Sequence, residues 1–417
     1  MKRIASLVLL SSLLFTAACN RYHLGDEPPT EPPKNGVVSL ETSRNTFFVE
    51  NLLTWERLNS LPEPNSDMTT DEMRQIVLDF AELSMSFVWT PKADFRVEKQ
   101  ENDYLAGALY GGIPYDGYSG NPYKWMLYYD EATGVLDSAR VPGGAQTLFS
   151  DCSSYAYSAW SRVANSMKWS VTPHITLSSG ILKIGDYDWD PAIIDFKKES
   201  VFTTEICAQN GEQKMYRSYD KLLPADGVVN YLPVGGHVMI VKEVHTVKNA
   251  AGIDGDASFA IVYDQRNSTV EKKQSDGSTY TAQAGIGRKL SYRNLFEKGY
   301  LPFGVKELYG LEPVEKAEAS LSASCSSVTP EELCRATITS NYPILTVHVT
   351  VRDENGAELY RADAHVSEHV MPYMEYPLSK RIFESTLGSY AGGGHTVSVQ
   401  TRVSTGELLS AYEGLLI

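Results

Sequence analysis

The chain has 417 residues, 42% hydrophobic and 21% charged, with 52 acidic against 37 basic side chains and a formal charge of −15. That length holds two or three domains, each with its own core. The acidity argues against nucleic acid as a partner, because nothing in the balance supplies a basic footprint.

At the amino terminus, Lys2 and Arg3 precede an apolar run from Ile4 to Phe15, too short to span a bilayer and of the right length for a signal peptide. Thr16, Ala17, Ala18 and Cys19 are similar to a lipobox, with Thr16 where Leu is more usual. The expectation is cleavage after residue 18, lipidation of Cys19 and an exported, membrane-anchored chain; a plain secretory signal is the alternative. Residues 19–36, which include PPTEPP, read as an extended polar tether.

An N-terminal helical segment is expected over 37–100. Thr42 to Ser60 and Thr70 to Trp89 read as two amphipathic helices; in the second, Met73, Ile76, Val77, Phe80 and Leu83 share one face, and Thr69 with Glu72 makes a capping-box pattern. The stretch from Asp116 to Gly144, rich in Gly, Tyr and Pro and containing Trp125, is expected to form one wall of a groove.

Asp151, Cys152, Ser153 and Ser154 then open a helix. Tyr155, Ala156, Ala159, Trp160, Val163 and Ala164 fall on one buried face, Asp151 is a natural N-cap, and Cys152 sits in the first turn. The helix dipole and first-turn N–H groups favour a thiolate over a thiol of ordinary pKa ~8.5. A cysteine is ordinarily a small buried hydrophobe. Here a histidine answers it: Gly235, Gly236 and His237 lead into the apolar strand Val238 to Val244. His237 is placed to take the thiol proton and return it to a leaving amine, with the Cys152 N–H as an oxyanion donor. The strand turns through Asn249 to Asp256 and returns as Ser258 to Tyr263, ending in Asp264 and Gln265. Asp264 is the expected group to orient the imidazole; Gln265 is the alternative.

On these residues the chain resembles the NlpC-type cell-wall peptidases. DCSS is similar to their DCSG turn, and LLPADGVVNY followed by GGHVMIV resembles their L-x-P-G-D and HV-x-IV signature, with Ala225 and Asp226 where Gly-Asp is usual. The longer hairpin ending in an acidic residue and an amide is more similar to the related CHAP amidases. The resemblance covers roughly Tyr104 to Tyr309. It implies a papain-like α+β fold, in which the helix bearing Cys152 packs on an antiparallel sheet bearing His237. It also implies hydrolysis of amide bonds in peptidoglycan stem peptides or cross-links, with no metal and no cofactor. Tyr110 to Tyr115 looks like the Y-x-G-x-P-Y stretch of the superfamily, which makes Tyr115, Asp151 and Ser153 candidate substrate contacts; the tyrosines otherwise pack beneath the helix. Acyl or amide transfer on the same fold, and a non-catalytic wall-binding role, are the competing functions. The acidity of the chain gives no attraction to anionic wall polymers, so recognition is expected to be local and steric.

Of the rest, Val171 to Asp226 is longer than a minimal core needs. Asp186, Asp188 and Asp190 alternate like the start of a calcium loop, but Pro191 and Lys197 occupy the positions of its Gly and Glu, so a solvated acidic loop is expected. His245 lies too far along the histidine strand to take part. With 101–311 as the catalytic domain, 312–417 reads as a β-sandwich: Leu345 to Val351 and His395 to Val403 alternate, with an Asn-Gly turn after Asp353. His348, His365, His369 and His395 read as surface or strand residues. Cys325 and Cys334 are spaced to close a small disulfide loop, and Cys207 is expected to be free.

Overall fold

The computed structural model describes residues 46–97, 102–167, 180–190, 201–233, 235–274, 277–323, 326–366, 373–380 and 384–417. The expected signal segment, tether and Cys19 lie outside the described residues, as do Cys325, with its expected pairing to Cys334, and His369. The fold is mixed α/β with a sheet-rich C-terminal region.

The first expected helix is two short ones, α1 (Thr46–Glu50) and α2 (Trp55–Asn59). Between them Leu52 bridges Val88, and Thr54 leaves the helix to cap α2 through its side chain. The second, α3 (Thr70–Ser86), starts with the capping box of Thr69 and Glu72. It stops three residues sooner than expected: Phe87 is extended, and Val88–Pro91 becomes a strand, as β-branched and aromatic side chains favour. That strand lies within a mixed six-stranded sheet, between Tyr110–Gly111 and Val135–Leu136, with Thr269–Lys273 at one edge and Tyr129–Asp130 at the other. Among the described residues one hydrophobic cluster takes in Phe48, continues to Val314 and includes Leu345.

The sheet that positions the site is six-stranded and antiparallel. Its strands are β1 (Ile181–Lys183), β2 (Gly227–Leu232), β3 (Gly235–His245), β4 (Phe259–Tyr263), β5 (Arg288–Ser291) and β6 (Leu301–Val305), in the spatial order β5-β4-β3-β2-β6-β1. Against β3 packs α4 (Cys152–Trp160), whose expected apolar face is fully buried, and α3 lies against α4. The long intervening segment contributes α5 (Thr203–Asn210) and α6 (Glu212–Tyr219). Asp186 and Asp188 pair with Lys221 at 2.8 Å and Lys214 at 2.6 Å, as a solvated acidic loop does.

The C-terminal region is sheet-rich. Its strands join in one continuous sheet through the 16-residue strand Thr337–Arg352. The first part of that strand pairs with Ala319–Leu321 and Tyr373–Pro377, the second with Glu358–His365 and Thr396–Val403, and the register shifts in between. Pro343 stands at this shift, where it has no N–H to give a ladder. His365, read as a surface or strand residue, ends the strand Glu358–His365 and is buried at the junction with the first core. Its ring lies 2.7 Å from Tyr128 Oη and 3.1 Å from Thr147 Oγ1. Nearby, Ser404 Oγ donates to Ser161 O at 2.7 Å, and the buried Arg162 guanidinium donates to the Thr405 carbonyl.

Candidate active site

Cys152 is the first residue of α4. Asp151 caps the helix by accepting from Ser154 N at 2.7 Å, and Ser154 Oγ closes the box by accepting from Asp151 N at 3.0 Å. Ser153 Oγ also donates to the Asp151 carboxylate at 2.8 Å. The three polar groups of the turn are therefore engaged with one another, and Ser153 is wholly buried. Burial pushes the Asp151 pKa up against these hydrogen bonds. Tyr115 is also buried and bridges Ser150, immediately before the turn. The turn presents the cysteine through its backbone, and the candidate substrate contacts Tyr115, Asp151 and Ser153 sit beneath it rather than on an open surface.

His237 lies near the start of β3, where its N–H donates to Asn230 Oδ1 of β2 at 2.9 Å. Its Nε2 is 2.6 Å from Asp264 Oδ1, which leaves Nδ1 as the ring nitrogen for the Cys152 thiol, a hydrogen-bond partner of the same imidazole. Asp264 reaches that place because β4 runs antiparallel to β3, with Tyr263 opposite Ile240 and a bulge after Ile261. Its side chain is fully buried, and Arg288 Nη1 donates to Oδ2 at 2.6 Å. Gln265 points elsewhere: its Nε2 donates to Ile113 O at 2.8 Å and Ser150 O at 3.3 Å, bracing the segment before the cysteine, and its buried Oε1 has no partner. Of the two expected orienting groups, only Asp264 touches the imidazole.

Burial disfavours the imidazolium, but the Asp264 carboxylate and the Cys152 sulfur outweigh it and hold the His237 pKa up at about 10. Burial likewise opposes the Asp264 carboxylate, and the imidazolium with Arg288 and Arg266 holds its carboxyl well below the usual range. The raised histidine pKa contributes stability below the unfolded value of 6.5 and loses it as pH rises through about 10. The stability advantage of the parent over a His237→Gln variant is accordingly expected to shrink between pH 6 and pH 10 in calorimetric unfolding; a constant difference would contradict the assignment.

Several expectations resolve differently. Trp125 lies in the core, its indole donating to Leu148 O at 2.9 Å, so it forms no groove wall. The stretch around it does contribute Tyr129, Asp137 and Arg140, with Thr90, Lys92 and Thr279, to a cavity of about 490 Å³, but neither Cys152 nor His237 lines it. Cys207 is a free buried thiol whose pKa burial pushes up to about 12. His245 stacks on Phe259 at the far end of β3. Ala225, where the resembled motif has Gly, adopts a left-handed φ of 67°, a strain of about 1–2 kcal/mol held by Trp160, whose indole donates to its carbonyl at 2.7 Å.

Arg288 lies in no motif, and Asn230, though within LLPADGVVNY, is outside its L-x-P-G-D signature positions. Only strand pairing brings them to His237 and Asp264. Compared with known proteins, the chain matches no family model and no curated protein.

Proposed function

We propose that this chain is a cysteine hydrolase with a papain-like catalytic domain, cleaving amide bonds of peptidoglycan stem peptides or cross-links. The observation that carries the chemistry is a single imidazole shared between the Cys152 thiol at a helix N-terminus and the buried Asp264 carboxylate. The peptidoglycan assignment rests on the resemblance of DCSS and GGHVMIV to the NlpC-type and CHAP enzymes.

In this reading the thiolate attacks the amide carbonyl and the tetrahedral oxyanion is met by the Cys152 N–H. His237 then protonates the leaving amine and a thioester remains. Water, deprotonated by His237, attacks the thioester and releases a carboxylate, regenerating the thiolate. Asp264 holds the ring and stabilises its charged form, and no cofactor enters any of these steps. Cys19 is the proposed lipid attachment point, which would present the domain to the wall from a membrane.

The test is incubation of the full chain with purified peptidoglycan and with soluble muropeptides, followed by mass spectrometry. Hydrolysis predicts fragments that together gain one water, and their masses name the bond. Products that retain an added amine would replace hydrolysis by acyl transfer, and intact substrate with an unreactive Cys152 would leave a wall-binding lipoprotein. On a substrate that is cleaved, Asp264→Asn is expected to lower kcat/KM about 10²-fold, because the amide no longer stabilises the imidazolium. Unchanged kinetics would remove Asp264 from the site.

A further inference from the structure

We propose that Arg288 is a positioning residue for this reaction: its guanidinium holds the Asp264 carboxylate so that Oδ1 faces His237, and it completes the charge balance of the Cys152–His237 pair. The proposal rests on the cysteine-hydrolase reading above.

Three observations carry it. First, each oxygen of the buried carboxylate has its own close cationic or ring partner, Oδ1 with His237 Nε2 and Oδ2 with Arg288 Nη1, both at 2.6 Å. A carboxylate held at one oxygen only is able to turn about its Cβ–Cγ bond; held at both, it is not. Second, the backbone delivers Arg288 by a close approach. Arg288 stands opposite Val262 in the β4–β5 ladder, and just before it the chain crosses the end of β4, where Asp264 N donates to Gly285 O at 3.0 Å. A Cβ on Gly285 would stand 1.7 Å from the Asp264 carbonyl oxygen, so only glycine lets this segment lie so near. Third, the charges sum. Thiolate, imidazolium and Asp264 together carry a charge of −1, and Arg288, the nearer of the two arginines, makes the quartet neutral.

The other groups facing this quartet are known. From α4 come Cys152 itself and Tyr155, whose phenol senses Asp264. Glu82 of α3 bonds the Tyr263 hydroxyl at 2.5 Å, and Arg266 Nε stands 3.9 Å from Asp264 Oδ2. Asn230 of β2 is neutral and meets the His237 backbone. Of the two arginines beside Asp264, Arg288 makes the closer contact, 2.6 Å against 3.9 Å for Arg266, so its removal changes the charge beside the carboxylate without touching the Cys152–His237 pair.

The sign of the effect follows. Without Arg288 the thiolate is less favoured, which moves the acid limb of the ion pair to higher pH. The imidazolium is less repelled, which moves the alkaline limb the same way. A loss of packing alone lowers rates without shifting both limbs together.

The experiment measures the rate of Cys152 alkylation by iodoacetamide against pH, resolved by peptide mass spectrometry, for the full chain and its Arg288→Met and Arg288→Lys variants. Amide cleavage is followed in parallel. Arg288→Met is expected to move both limbs up by roughly one pH unit and to slow cleavage about 10-fold; Arg288→Lys keeps the limbs within a few tenths of a unit of the parent. Slower cleavage with unmoved limbs would reduce Arg288 to a structural residue and overturn the proposal. Should Arg288→Met fail to fold, Arg288→Lys and Arg288→Gln supply the same comparison of charge retained against charge removed. A parent whose Cys152 titrates as a single ordinary thiol near pH ~8.5 would instead overturn the ion-pair reading of the site, an outcome distinct from the failure of Arg288.

Discussion

Replacing Cys152 by Ala is expected to lower kcat/KM for amide cleavage by on the order of 10⁴-fold or more, because no other nucleophile is in place to form the thioester. The variant should keep its fold. Cys152 is buried at the first turn of α4, but the cap is made by Asp151, Ser153 and Ser154, and each of their hydrogen bonds survives the substitution. The loss should therefore appear in turnover with the fold retained, read as an unchanged far-UV spectrum. Mass spectrometry of the parent mixed with substrate and quenched in acid should reveal an acyl adduct on the Cys152 peptide that the Ala variant lacks. Equal turnover by the two proteins would sink the mechanism.

The largest loss of stability is expected from Arg74→Met. Arg74 reaches from α3 into the site-bearing domain, donating to Asp226 Oδ1 at 2.9 Å and Leu308 O at 2.9 Å, with Tyr309 beneath it. Asp226 is fully buried; it also accepts from Tyr309 Oη at 2.6 Å and Leu223 N at 2.8 Å. Burial already raises the Asp226 pKa, with Arg74 opposing that rise. Removing the guanidinium strands the carboxylate, at a cost of about 3–5 kcal/mol in guanidinium unfolding. The sign with pH is fixed: without Arg74 the folded Asp226 pKa climbs further, so the deficit narrows as pH falls and the carboxyl takes a proton. A double variant, Arg74→Met with Asp226→Asn, should recover part of the loss. A deficit below about 1 kcal/mol in the single variant would show that the pair is not what ties α3 to the sheet.

Both expectations begin from residues visible in the chain, yet they differ in how far the chain alone reveals them. The cysteine turn is local: Asp151, Cys152 and the cap at Ser154 lie within four positions, and the apolar face of α4 follows from helical spacing. The same holds for Thr69 with Glu72. The Arg74–Asp226 pair spans 152 positions, and nothing in the spacing of α3 separates Arg74 from an exposed arginine. Asp226 was legible only as part of a motif, and its role here is to anchor the strand entry. The burial of His365 on its strand was not legible for a related reason. On a strand of alternating residues its side is set by what packs against the sheet, and the surface of the first core supplies Tyr128 and Thr147.

Taken by itself, the sequence determined the elements whose causes are short-ranged: the capped helix carrying Cys152, the histidine strand, the hairpin that returns toward it, and the alternating strands of the C-terminal region. The tertiary structure alone decided between Asp264 and Gln265, because the β3–β4 pairing brings the chain just past Tyr263 to His237, where Asp264 meets the imidazole while Gln265 donates to Ile113 O and Ser150 O. It also decided the place of Arg288, the strand pairing of the C-terminal region and the burial of Asp226. Each of these depends on which backbones lie side by side, a matter of register and packing between distant segments that no local pattern of side chains encodes.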